Sequence, residues 1–250
     1  ATSADHCALG VALLRTRELT GAREAFSAAL ALDPDDVQAH SGLGEVLRER
    51  GLLEQAISHF SKAAELRPDT VGMLNELGAT LIMARRFAEA VDVLSLAVSI
   101  KPHLTHTRLN LGTATLAMGN AVDAVEQLRL VLEDSPEDAD IMNNLGNAER
   151  DLGNIPAAVE HFRNAIAARP DSSKLYSNLL LTLLYDQSAG TDALLAAHKQ
   201  FAEQYGATGP NLESGLAPLV HRGLRTFSAK PGPLPTAYQS RLRAYQILIL

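Results

Sequence analysis

Residues 37–70 read VQAHSGLGEVLRERGLLEQAISHFSKAAELRPDT. Two stretches with the 3.6-residue apolar spacing of a helix lie on either side of Arg50-Gly51, and Pro68 closes the second. Moving 34 residues in either direction returns the same pattern. Prolines stand at Pro34, Pro68, Pro102, Pro136 and Pro170. Gly10, Gly44, Gly78, Gly112 and Gly146 share the register, each preceded by leucine. Ala22, Ala56, Ala90, Ala124 and Ala158 form a third column, and Phe26, Phe60, Leu94, Leu128 and Phe162 a large apolar one. A small column runs through Ala29, Ala63, Ala97, Val131 and Ala165. A fixed period with this many columns in phase is the mark of a repeat architecture.

Each column has a steric reason. The Leu-Gly pair falls inside the first helix, where glycine costs about 1 kcal/mol relative to alanine. That cost is tolerable where the missing side chain lets a neighbouring helix approach closely. The alanines of the second helix serve the same approach, and the Phe/Leu column fills the space between helices. Proline cannot donate an N–H and pushes the preceding residue out of helical geometry, so it ends the second helix. Asp33-Pro34-Asp35-Asp36, Pro68-Asp69 and Pro170-Asp171 are expected to supply turn and cap oxygens. Gly51, Gly119 and Gly153 mark the turn within a repeat, with Arg17 and Arg85 in the other two.

This pattern resembles the tetratricopeptide repeat, a helix–turn–helix unit of 34 residues. The blocks run 3–36, 37–70, 71–104, 105–138 and 139–172. The tryptophan frequent in the first helix of that family is replaced by His6, His40, Leu74, Arg108 and Met142. The resemblance implies an all-α, right-handed α-solenoid, whose units bury their apolar faces on one another and leave a concave groove.

Composition agrees and excludes several functions. The chain has 250 residues, 46% hydrophobic but 4% aromatic, with no Trp. Its 29 acidic and 22 basic residues give net −7, which disfavours a nucleic-acid binder. Residues 1–172 hold 25 acidic and 15 basic residues, whereas residues 173–250 hold 4 and 7. One cysteine, Cys7, excludes an intramolecular disulfide framework. Apolar runs such as Leu179–Leu181 and Leu183–Tyr185 fall far short of the ~20 residues that cross a bilayer. The sequence begins Ala1-Thr2-Ser3 with neither a basic nor an apolar leader, so no export signal is visible and a cytoplasmic location is expected, while the absent initiator Met suggests a processed or partial chain.

A degenerate sixth repeat or capping pair is expected over 173–205. Its first helix runs from Ser173 to Tyr185 and its second from Asp192 to Tyr205 after Thr191, with Leu180 in place of the repeat glycine. From Gly206 to Pro235, ten of thirty residues are Gly or Pro, so 206–250 reads as a linker followed by a short basic amphipathic helix over Thr236–Leu250. The stretch Leu175–Asp186 together with His198–Tyr205 resembles the junction before the catalytic region of bacterial relatives of O-linked N-acetylglucosamine transferase and SPINDLY. That resemblance implies the substrate-recognition part of a protein glycosyltransferase. After Tyr205 nothing reads as the strands of a nucleotide-sugar domain, so no catalysis is expected of this chain.

The residues that carry enzymes are missing or out of context. Gly42-Leu-Gly44 lies within a helix and lacks a third glycine. His103 and His106 have no nearby cysteine or carboxylate to complete a metal site. His59 and His161 are equivalent under the repeat, as are His6 and His40, which favours packing or surface roles. Cys7 has no base beside it in sequence and reads as a small buried hydrophobe. No cofactor or metal is expected.

A ladder of amides remains. Asn110, Asn144 and Asn178 recur every 34 residues, just before the leucine of the Leu-Gly pair or its counterpart, with Asn75, Asn143 and Asn147 near the same face. An amide offers one acceptor and two donor hydrogens, so it can pair with both polar groups of an extended peptide backbone. The alternative is that these residues cap or bridge adjacent helices. In the transferase family this ladder lines the groove and holds substrate peptide, which the resemblance carries over to these positions. Ala8, Gly42 and Glu76 occupy the same place in the first three repeats, confining the ladder to the C-terminal half. A chaperone-type carboxylate clamp is disfavoured, because its positions hold Cys7, Ser41, Asn75, Leu109 and Asn143. Arg48 and Arg150 could meet acidic partners, with Glu45, Glu49 and Asp151 nearby to offset them. The expectation is a non-catalytic scaffold that takes a protein or extended peptide in its groove, with apolar patches near Val11, Leu14, Ile82, Met83 and Leu116.

Overall fold

The computed structural model describes residues 1–186 together with Ala196, Ala197 and Phe201. The expected second helix of the sixth unit, the linker and the C-terminal helix therefore lie outside the described residues, apart from those three positions. Among the described residues are eleven helices and no strand. In chain order they are α1 (Ser3–Arg15), α2 (Leu19–Leu32), α3 (Val37–Glu49), α4 (Leu53–Leu66), α5 (Val71–Met83), α6 (Phe87–Ile100), α7 (Thr105–Ala117), α8 (Ala121–Asp134), α9 (Ala139–Asp151), α10 (Ile155–Ala168) and α11 (Ser173–Tyr185). First helices of 13 residues alternate with second helices of 14. The architecture is an all-α solenoid.

The turn inside each repeat closes in the same way five times. Arg17, Gly51, Arg85, Gly119 and Gly153 all have positive φ, between 61° and 86°. The next residue's N–H reaches back to the first helix, as in Glu18 to Leu13 O at 2.8 Å and Leu52 to Leu47 O at 2.9 Å. This is the Schellman closure, which satisfies carbonyls that the helix end leaves open. Arg17 and Arg85 hold the left-handed conformation that glycine holds elsewhere, at a cost of about 1–2 kcal/mol.

Caps are less regular than the sequence suggests. Asp36 caps α3 by accepting from the Ala39 N–H at 3.0 Å, and Asp138 caps α9. Asp69 and Asp171 do not cap. The N-cap positions after them belong to Thr70 and Ser172, whose side chains make no capping bond. Thr2 and Asp5 form a reciprocal capping box at the start of α1.

The chain divides into two compact units, Ala1–Val131 and Leu132–Leu250. In the first, Phe26 lies fully buried among Cys7, Ala22, Ala29, Ala39, Leu43 and Val46. Farther along the same unit, Phe60 and Leu94 anchor a larger cluster running from Leu47 to Ala114. In the second unit, Phe162 packs with Met142, Ala158, Ala165, Leu175 and Tyr176. The glycine column earns its place against these side chains: a Cβ on Gly44 would sit 2.8 Å from the Phe60 ring, and one on Gly146 2.8 Å from that of Phe162. Each first helix thus lies directly on the large residue of its own second helix.

Candidate functional site

The six asparagines do not behave alike. In the first unit, Asn75 of α5 is buried and its Oδ1 accepts from Asn110 Nδ2 of α7 at 3.0 Å. In the second unit, Asn143 of α9 is 2% exposed and accepts from Asn178 Nδ2 of α11 at 2.7 Å. Both bonds span 35 residues and occupy equivalent places, 68 positions apart. Asn143 also donates to Asn144 Oδ1 at 3.3 Å, and Asn147 Oδ1 accepts from Arg150 Nη2 at 2.9 Å. Asn75 and Asn143 are therefore interior acceptors. Asn110, Asn144, Asn147 and Asn178 are half-buried. Asn110 and Asn178 each spend one N–H on the neighbouring repeat and retain a second N–H and the carbonyl oxygen.

The sequence treats bridging and presentation to a peptide as alternatives, and the structure shows the bridges. The bridging bond holds each outer amide in a defined direction. Its partner could have been found from sequence only by comparing positions 35 apart rather than 34.

A second recurring contact lies within the first unit. His40 Nε2 meets the Pro34 carbonyl at 3.0 Å, and His40 Nδ1 meets His59 Nδ1 at 3.0 Å. Two repeats on, Arg108 donates to the Pro102 carbonyl and to Gln127 Oε1. The histidine pair thus stands where an Arg–Gln pair stands elsewhere, and acts as a clasp between paired helices. Because a carbonyl only accepts, His40 carries its proton on Nε2 when neutral, so His59 must donate from Nδ1.

Burial, and then the His40 charge, hold the His59 pKa below its ordinary 6.5. A histidine whose folded pKa is depressed binds protons more readily unfolded, so its stabilising contribution is complete above 6.5. It is lost as pH falls from 6.5 through the lowered folded value. Stability of the wild type should therefore decline across that window, and His59→Gln, copying Gln127, should flatten the decline. Urea midpoints measured between pH 5 and 8 check this; parallel curves for the two proteins would refute it.

The first unit also holds a cavity of about 780 Å³, with Val11, Leu14 and Met73 on its walls and Arg15, Glu45 and Arg67 among its charged residues. Burial, the largest cause, pushes the Glu45 carboxyl up, and Glu76 and Glu49 add to this against the pull of Arg48. Of the expected apolar patches, Val11 and Leu14 line this cavity, Met83 is 56% exposed, and Ile82 and Leu116 are half-buried. Arg48 donates to Glu76 on the next first helix, whereas the sequence placed only Glu45 and Glu49 near it as offsetting charges.

Little in the described residues suggests reaction chemistry. Cys7 is fully buried, and its thiol is pushed up to about 11 by desolvation and by the Asp36 carboxylate. A thiol so far from ionising at neutral pH is a poor nucleophile. No group of three or more His, Cys, Asp or Glu side chains among the described residues could hold a metal ion. No helix among them is long and apolar enough to cross a membrane.

The model of the tetratricopeptide repeat family matches residues 7–70, 53–104, 109–173 and 145–204. The chain is a tetratricopeptide repeat protein. Solved structures agree on the fold. YrrB, described as a tetratricopeptide repeat protein with an unusual peptide-binding site, is 26% identical, with a TM-score of 0.61 over 68% of this chain and 87% of its own. PilF of Pseudomonas aeruginosa is 18% identical, with a TM-score of 0.66 over 82% of this chain and 93% of its own. MamA of Desulfovibrio magneticus RS-1 is 17% identical, with a TM-score of 0.64 over 69% and 96%. No curated protein matches the chain.

Proposed function

We propose that this tetratricopeptide repeat chain is a non-catalytic scaffold that holds an extended peptide segment of a partner protein against its first helices. The observation that carries the reading is the pair of equivalent bridges, Asn110 to Asn75 and Asn178 to Asn143. Each fixes a half-buried amide with donor and acceptor capacity to spare. Asn144 and Asn147 lie half-buried on α9, where their Oδ1 atoms accept from Asn143 and Arg150. Amides of this kind recognise the backbone, which every peptide carries, and leave selection to neighbouring side chains. The peptide-binding site attributed to YrrB supports the same reading. The narrower transferase reading is supported by the sequence of Leu175–Asp186 and by no structure compared above.

The test replaces Asn110, Asn144 and Asn178 with Ala, singly and together, and measures affinity for a partner identified by crosslinking and mass spectrometry. The triple variant should bind at least tenfold more weakly. Asn178→Ala should also cost about 1–3 kcal/mol of stability, because Asn143 Oδ1 is left buried without its donor. Unchanged affinity in the folded triple variant would exclude the ladder. A stability loss alone, without an affinity loss, would assign these residues to bridging only.

A further inference from the structure

The repeat register gives every side chain an equivalent, so a partner present in one repeat and missing in another is visible. Arg48 on α3 and Arg150 on α9 are equivalents, 102 residues apart. Both hold the same posture: the Arg48 guanidinium lies 5.4 Å from the centre of the Phe60 ring, and that of Arg150 lies 5.9 Å from Phe162. Arg48 completes its site by donating from Nη1 to the Glu76 carboxylate on the next first helix. The equivalent of Glu76, again 102 residues on, is Asn178. Asn178 turns its Nδ2 to Asn143 instead. Arg150 Nη1 is left buried with no hydrogen-bond partner among the described residues.

A buried, unpaired guanidinium N–H is costly, because desolvation is not offset by a bond. The other contacts do not reach it. Arg150 Nη2 donates to Asn147 Oδ1, and Asp151 approaches only Nε, at 4.0 Å, from a side chain that is 43% exposed. A pair at that distance contributes little. Burial disfavours the charge on Arg150, and the Asp151 charge only partly opposes this.

We propose that Arg150 is a receptor for a carboxylate of the bound partner, which takes the place that Glu76 fills beside Arg48. The inference rests on the peptide-binding reading and names what that peptide carries: an acidic side chain or a free C-terminus, set beside the amides of Asn144 and Asn147. The Arg150 side chain keeps 19% exposure while Nη1 itself is buried, so carboxylate binding requires the guanidinium to turn about its terminal bonds. Arginine suits the role because its planar fork pairs with both oxygens of a carboxylate. The position differs from those of the chaperone-type clamp, which here hold Cys7, Ser41, Asn75, Leu109 and Asn143.

The experiment needs no known partner. The wild-type protein, labelled with 15N-arginine, is titrated with sodium acetate at constant ionic strength, and the guanidinium resonances are followed by NMR. Arg150→Lys and Arg48→Lys spectra supply the assignments. The Arg150 resonance should shift saturably, whereas Arg48, already paired with Glu76, should move at least fivefold less. Equal small shifts at both would overturn the proposal, whether or not the asparagines hold a peptide.

Three fluorescent hexapeptides then separate the sources of the carboxylate: Glu-containing with an amidated end, Gln-containing with a free end, and Gln-containing with an amidated end. Either carboxylate peptide should bind at least fivefold more tightly than the neutral one, and the tighter of the two names the source. Arg150→Lys and Arg150→Met should reduce the preference, and Asn178→Glu should abolish it by supplying the carboxylate internally. Equal binding of all three peptides would leave the amide ladder standing and remove the carboxylate site.

Discussion

Phe60→Ala is expected to lower the stability of the protein by about 3–5 kcal/mol, the usual cost of emptying a fully buried aromatic site. Phe60 is 1% exposed, and its ring fills the space that Gly44 leaves by having no Cβ. The Arg48 guanidinium stacked 5.4 Å from the ring centre loses its platform as well, at about 0.5–1 kcal/mol. Collapse cannot refill the cavity cheaply, because the adjoining column is Ala56 and Ala63, both fully buried. Phe60→Leu should cost less than about 1.5 kcal/mol, since Leu94 and Leu128 do the same work in the next two repeats. Urea unfolding followed by far-ultraviolet circular dichroism measures both, a suitable probe for a helical chain with no Trp. Similar losses for the two variants would contradict the packing account. Repeat proteins can unfold stepwise, so the transition should be read for its shape as well as its midpoint.

Gly42→Ala is expected to destabilise by about 2 kcal/mol, although alanine is the better helix former by about 1 kcal/mol. A Cβ at position 42 would lie 2.2 Å from Phe26 Cζ and 2.4 Å from Cε1. The ring has no retreat, because a Cβ on Gly10 would already stand 2.7 Å from Cε1. Phe26 is thus pinned between glycines of two successive first helices. Shortening it with Phe26→Leu should relieve the clash, so the double variant should be more stable than the sum of the single losses by about 1 kcal/mol or more. Gly72→Ala is the control: nothing lies within 4 Å of the added carbon, and stability should rise by up to about 1 kcal/mol. A Gly42→Ala protein as stable as the wild type would show that the ring moves freely.

Gly42 also shows where sequence reading stops. It occupies the ladder position of the second repeat, and from sequence it is only a missing asparagine. The structure gives it a steric duty to Phe26 that asparagine could not perform. The turn residues were legible by contrast. Arg17 and Arg85 stand in the register of Gly51, Gly119 and Gly153, and all five have positive φ. Register alone carried that inference because the turn is local, built from residues within six positions of one another.

The asparagines lie between these cases. Their period was plain, but their partners were not, since Asn143 and Asn144 are adjacent in sequence and only one of them is nearly fully buried. Which side of a helix faces the next repeat depends on its rotation, which the composition of a polar face does not specify. The same limit applies to Arg48, whose partner is Glu76 on the following first helix rather than its sequence neighbours Glu45 and Glu49.

By itself, the sequence determined the repeat, the helix-turn-helix unit, the large and small core columns and the turns. These follow from steric demands that recur every 34 residues and need no knowledge of distance. Tertiary structure alone decided which asparagines are interior acceptors, that Arg48 pairs with Glu76, and that Arg150 Nη1 has no partner among the described residues. The physical reason is range: a hydrogen bond is made or lost within about half an ångström. A register says which residues are equivalent, but not which atoms touch.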